Sequence, residues 1–214
     1  MLLVNTYRVR LIAMSVSAAI LYDSWPLGHW LNPTISRNSL ASGLEAIGQP
    51  YNWVFICGDV TSSLLAIILC WILWQRYKDN KLHRFIRISL GCTILFGIGT
   101  IVDALLPERC VTGVQICASF TQDHLLLYHG IFSIMASVFL FLSLGILWLH
   151  QRNNILINCL LAGYIIFGLI SLLQAVTPGK NGNWSQDYYI SLCSVWLALI
   201  PYVIYKSAGN ESSL

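Results

Sequence analysis

Charge is what this sequence has least of. Asp, Glu, Lys and Arg make up only 10% of its 214 residues, against about 25% in soluble domains, while 57% are hydrophobic and the mean hydropathy is +0.68. That scarcity excludes a water-soluble globular domain. The net charge of +3 comes from Lys and Arg confined to short segments between apolar runs, with no basic patch interleaved with aromatics, so nucleic acid is not an expected partner. No C-x-x-C pair is present, which leaves dithiol redox chemistry without its motif. Nor is there a separable polar domain. The segments YNW, DHLLLYH and NWSQDYY lead into helices in a similar way, but the likeness does not amount to a repeat.

What the chain does have is long apolar runs. A hydrocarbon core of about 30 Å takes about 20 helical residues to cross, and six runs reach that length: Arg10–Leu31, Tyr51–Gln75, Phe85–Pro107, His124–Leu149, Ile155–Val176 and Tyr188–Tyr205. They predict an all-α polytopic membrane protein, a bundle of six transmembrane helices forming one domain over residues 1–214. Arg8 and Arg10, the group Arg76, Lys78, Lys81, Arg84 and Arg87, then Arg152 and Lys206 fall on one side; the opposite loops hold only Arg37, Arg109 and Lys180. By the excess of Lys and Arg in inner loops, both termini are expected to be cytoplasmic. In the longest outer loop, Ser39 precedes Leu40, Leu44 and Ile47 at helical spacing, which predicts a short interfacial helix over 39–47.

The few ionisable residues inside apolar runs carry the functional argument. At 1.5 Å per residue from each outer end, Asp103 lies about 6 Å down, His129 about 8 Å, and Asp23 and Asp59 about 12 Å each. All fall in the outer half of the bilayer; a charge facing lipid costs on the order of 2.5–3.5 kcal/mol near the midplane, so they are expected to face the bundle interior and one another. No similar trail reaches the cytoplasmic side, which disfavours a continuous ion path.

Several chemistries suit these groups. Asp103 and His129 can share a divalent metal, with an open position that activates water. Alternatively Asp103 fixes the tautomer of His129, which serves as general base, with Ser133 one turn away on the same helix face. Nothing resembles a strained nucleophile turn around Ser133. His124 and His129 are five residues apart, about 140° around a helix, and so are not a same-face metal pair. Asp23, Asp59, His124 and Tyr128 are the candidate ligand-binding residues. The structural alternatives are an interhelical hydrogen bond between Asp103 and His129, a protonated Asp59 bonded to Ser62 or Ser63, and an Asp23 that serves the kink at Pro26 and Gly28. Five of the seven cysteines lie in apolar runs as small hydrophobes; Cys110 and Cys117, in an outer loop, are expected to form a disulfide above Asp103 and His129.

The segment from Ser39 to Phe55 with GQPYNW, and the run from Asp103 through Cys110 and Cys117 to His129–Ser133, resemble the "domain of unknown function 998" family of six-helix membrane proteins. The family pattern has another histidine three residues before the position of His129, where this chain has Leu126. The resemblance implies a bacterial cytoplasmic membrane protein and no particular activity. The residues themselves predict an outward-facing polar site that binds or acts on a lipid or envelope-linked ligand, hydrolysis being one such action. A transporter or its accessory subunit, and a structural subunit without its own site, are the alternatives. Whether the chain is an enzyme is open at this point. The expected surroundings are the lipid bilayer, with a lipid ligand, a membrane-protein partner or a second copy of the chain as candidate partners.

Overall fold

A computed structural model of the chain describes residues 2–34, 39–77, 84–109, 111, 124–176 and 184–211. Its elements are α1 (Leu2–Tyr22), α2 (Trp25–Leu31), a 3-10 helix (Ala41–Leu44), α3 (Asn52–Arg76), α4 (Arg84–Leu105), α5 (His124–His150), α6 (Ile155–Val176) and α7 (Trp184–Glu211). The described residues contain no strand. Five helices, α3 to α7, are long and apolar enough to cross a membrane, and α1 with α2, bent by 41°, makes a sixth if taken as one span. The chain is a polytopic helical membrane protein.

Helices that are neighbours in sequence are neighbours in space. Apart from the short α2, each packs on its successor, and α7 returns to α1, giving a closed ring. Short connections favour that order. Between the helices, Leu69, Leu73, Leu90, Leu144, Trp196 and Ile200 form part of one continuous buried core. Glycine sets the closest approaches: a Cβ on Gly97 would stand 2.8 Å from Ile67 Cγ1 and 3.2 Å from the Ser63 carbonyl, and one on Gly99 would stand 3.3 Å from the Ala136 Cβ. The GCTILFGIG stretch thus seats α4 against α3 and α5 within one chain. Buried hydroxyls find partners across the same interfaces, Ser62 donating to the Ala18 carbonyl at 2.7 Å and Ser89 to the Ser143 carbonyl at 2.8 Å.

Two features differ from the sequence expectation in ways that shape the site. First, α1 starts at Leu2 rather than at Arg10, because an apolar run marks the hydrocarbon, whereas a helix continues into the polar interface. It stops at Tyr22, and α2 restarts with Pro26 in its first turn, where a missing amide donor costs nothing. The Asp23 carboxylate at the break accepts a hydrogen bond from Ser191 at 2.9 Å, and the Ser191 oxygen accepts one from Trp25 Nε1 at 3.0 Å. The bend is therefore tied to α7.

Second, the 39–47 segment does not lie on the surface as an interfacial helix. Ser39 makes no cap; its hydroxyl donates to the Leu40 carbonyl, and a single 3-10 turn follows. Leu44 and Ala46 are 2% and 0% exposed and pack with Phe55 and Val111 as a small second core. Leu44 enters so far that a Cβ on Gly28 would meet its Cδ1 at 2.3 Å. The loop is a plug set into one end of the ring. It leaves through Gly48 and Tyr51, both at positive φ, 82° and 62°, an outlier conformation for tyrosine that turns the chain into α3.

Candidate polar site beneath the plug

Below the plug lies a cavity of about 80 Å³, room for a few water-sized groups. Ser42 and Glu45 of the plug, Asp59 of α3, Asp103 of α4, Ser133 of α5 and Tyr189 of α7 contribute to its walls. Three carboxyls from three separate segments thus converge on one small space. Glu45 of the plug and Asp59 of α3 face each other within hydrogen-bonding reach.

His129 stands beside this space at 4% exposure. Its Nδ1 is 3.0 Å from Asp103 Oδ1 and 3.3 Å from the Asp103 carbonyl; its Nε2 is 3.4 Å from Glu108 Oε1. Among the described residues Asp103 Oδ1 has no aligned donor, so the Oδ1 contact is an ion pair rather than a hydrogen bond. A backbone carbonyl only accepts, which assigns the Nδ1 proton. With a carboxylate also facing Nε2, the doubly protonated ring fits the geometry.

The plug is pinned to this arrangement from above. Glu108 accepts a hydrogen bond from the Ser42 hydroxyl at 3.3 Å, its carbonyl accepts one from the Ile47 amide at 2.8 Å, and Gln186 of α7 accepts one from the Ala41 amide at 2.6 Å. Outside the membrane-spanning helices, burial pushes the Glu45 carboxyl up to about 7, helped by the charge of Asp103 and opposed by His129 and by the bond from Asp59. Glu108 is also raised, by burial first, with His129 and the Ser42 hydrogen bond acting against it.

Of the residues singled out in the sequence, Asp59, Asp103 and Ser133 meet in the cavity, and His129 joins through Asp103. Asp23 serves the bend, bonded to Ser191. His124 and Tyr128 are exposed at the start of α5. The Ser133–His129–Asp103 relay finds both ring nitrogens already facing Asp103 and Glu108. No three His, Cys, Asp or Glu side chains among the described residues are arranged to hold a metal ion. Cys110 and Cys117 lie outside the described residues, and Cys57, Cys70, Cys92, Cys159 and Cys193 are free thiols.

Glu45 and Glu108 are the functional candidates that sequence reading passes over, because each lies in a loop where an acid is ordinarily solvated. The available signal was local: Glu45 interrupts the small and apolar stretch SGLEAIG, and Glu108 follows Pro107 directly after the buried Asp103. A loop acid flanked by apolar residues on both sides is a candidate for burial.

Residues 15–206 match the model of a family described as a protein of unknown function, DUF998. No curated protein and no solved structure matches the chain.

Proposed function

The chain belongs to the DUF998 family of unknown function, and from the geometry of its own polar site we propose that it binds the polar head of a lipid or envelope-linked ligand in the outer half of a bacterial cytoplasmic membrane, with both termini inside, and exchanges protons with it. The observation that carries this reading is the convergence of Glu45, Asp59 and Asp103 on one cavity beneath a loop plug. Burying three carboxyls in a membrane protein is costly, and intramembrane ionisable groups are by default functional candidates. The Glu45 carboxyl, pushed by burial up to about 7 and facing Asp59, is suited to both donate and accept a proton near neutral pH. Hydrolysis of the bound ligand is the reaction that fits best, with the Glu45–Asp59 pair as acid and base, since His129 is held on both sides and serves to fix Asp103 and Glu108.

A transport reading has less support. Toward the opposite end, the buried polar groups among the described residues include hydroxyls such as Ser15, Ser89 and Thr93, each bonded to a carbonyl of a neighbouring helix or its own, which offers no comparable convergence of carboxyls there.

The test is the profile of lipids that copurify with the full chain from its native membrane, read by mass spectrometry beside an Asp59→Asn, Asp103→Asn double variant. Enrichment of one headgroup class over the bulk membrane in the wild type, lost in the variant, is the expected result. Identical profiles, both equal to the bulk, would count against a binding site.

A further inference from the structure

The end of the bundle opposite the plug carries a second cluster, of reversed charge. The Arg8 guanidinium, early in α1, lies over the ring of Tyr205 in α7 at 5.0 Å from its centroid. Arg76, at the end of α3, lies 6.0 Å from the same ring and 5.6 Å from that of Tyr7, and it hydrogen-bonds Tyr77. Two guanidiniums from segments far apart in sequence thus meet at one tyrosine. Among the described residues neither has a carboxylate partner. Among the described residues the hydroxyl of Tyr205 is buried without a hydrogen-bond partner.

Like charges drawn together repel, and stacking on aromatic faces offsets that only in part. Stacking also leaves the guanidinium edges pointing outward, and their planar fork matches the oxygens of a phosphate. Both arginines are exposed, at helix ends among tyrosines, the level of the lipid headgroups. One and two turns deeper on the face of Arg8, Ile12 and Val16 are 47% and 40% exposed, an apolar stripe on which an acyl chain can lie.

We infer that Arg8 and Arg76, framed by Tyr7, Tyr77 and Tyr205, bind the phosphate of an anionic phospholipid in the leaflet at this end. The site lies across the bilayer from the cavity and does not depend on any function there.

The experiment is native mass spectrometry of the full chain in detergent, titrated with phosphatidylglycerol or with phosphatidylcholine of the same acyl chains. Two guanidinium forks on one phosphate are worth enough that the wild type should prefer phosphatidylglycerol by about five-fold or more. The Arg8→Gln, Arg76→Gln double variant should bring the two lipids to parity. Arg10→Gln with Arg84→Gln, which removes as much charge from the same end, should leave the preference intact. An Arg8→Lys, Arg76→Lys variant keeps the charge and loses the fork, so its preference should fall between the two even if the glutamine variant does not fold. Equal binding of both lipids by the wild type overturns the proposal. So does an undiminished preference in the lysine or glutamine variant, and displacement of phosphatidylglycerol by an equal concentration of inorganic phosphate would assign the cluster to a free anion instead.

Discussion

His129 is the residue on which the polar site turns, because it separates two carboxyls that would otherwise face each other. Asp103 and Glu108 lie on opposite sides of its ring, and removing one partner from a buried ionic cluster leaves an uncompensated charge, at a cost of about 3–5 kcal/mol. His129→Leu is therefore expected to lower the thermal midpoint of the purified protein more than Asp103→Asn, which keeps the shape and an acceptor for the ring. Equal midpoints for wild type and His129→Leu would show that the cluster contributes nothing to stability. Glu45 makes a separate prediction through pH. Its carboxyl moves from the ordinary 4.5 to about 7 on folding, with burial the main cause, so between those pH values the folded chain holds a proton that the unfolded chain has released. Stability from this group is full below about pH 4.5 and falls as pH rises through 7. Melting in detergent at pH 5 and pH 8 should show the lower midpoint at pH 8, and Glu45→Gln should reduce that difference. An unchanged slope in Glu45→Gln would assign the pH dependence to another group.

At the scale of elements, the site depends on how closely α3, α4 and α5 approach. Gly97 places α4 within reach of the Ser63 backbone, where a side chain would have to displace Ile67 or part the helices. Overpacking of this kind costs about 1–3 kcal/mol. Gly97→Leu is expected to lower resistance to SDS-induced unfolding by that order. Gly145→Ala, at a position with open space around it, should hold or slightly raise it, since alanine is the better helix former. Equal losses at the two positions would contradict the account of close packing at Gly97. The break between α1 and α2 works in the same way on the other side of the cavity, where the Asp23–Ser191–Trp25 hydrogen bonds join the bend to α7.

At the scale of the whole molecule, the helical bundle was legible in the sequence because hydrocarbon thickness imposes run length, a one-dimensional property. The meeting of Asp59, Asp103 and His129 was partly legible for a similar reason: depth along each helix follows from counting residues. What the counting could not provide was rotation about each helix axis, which puts His124 and Tyr128 on the exposed side, or the path of the loops. A loop that dives inward brings Glu45 to Asp59 and Ser42 to Glu108, and nothing in its periodicity distinguishes it from one lying on the headgroups. The cavity is proposed to lie in the outer half of the membrane, with its plug facing outward. This is tested most directly with an Ile47→Cys variant, at an exposed plug position, in intact cells and in inverted vesicles, treated with a membrane-impermeant maleimide and mapped at position 47 by peptide mass spectrometry. Labelling in intact cells and none in inverted vesicles is the expected result; labelling from the cytoplasmic side alone, or from neither side, would contradict it.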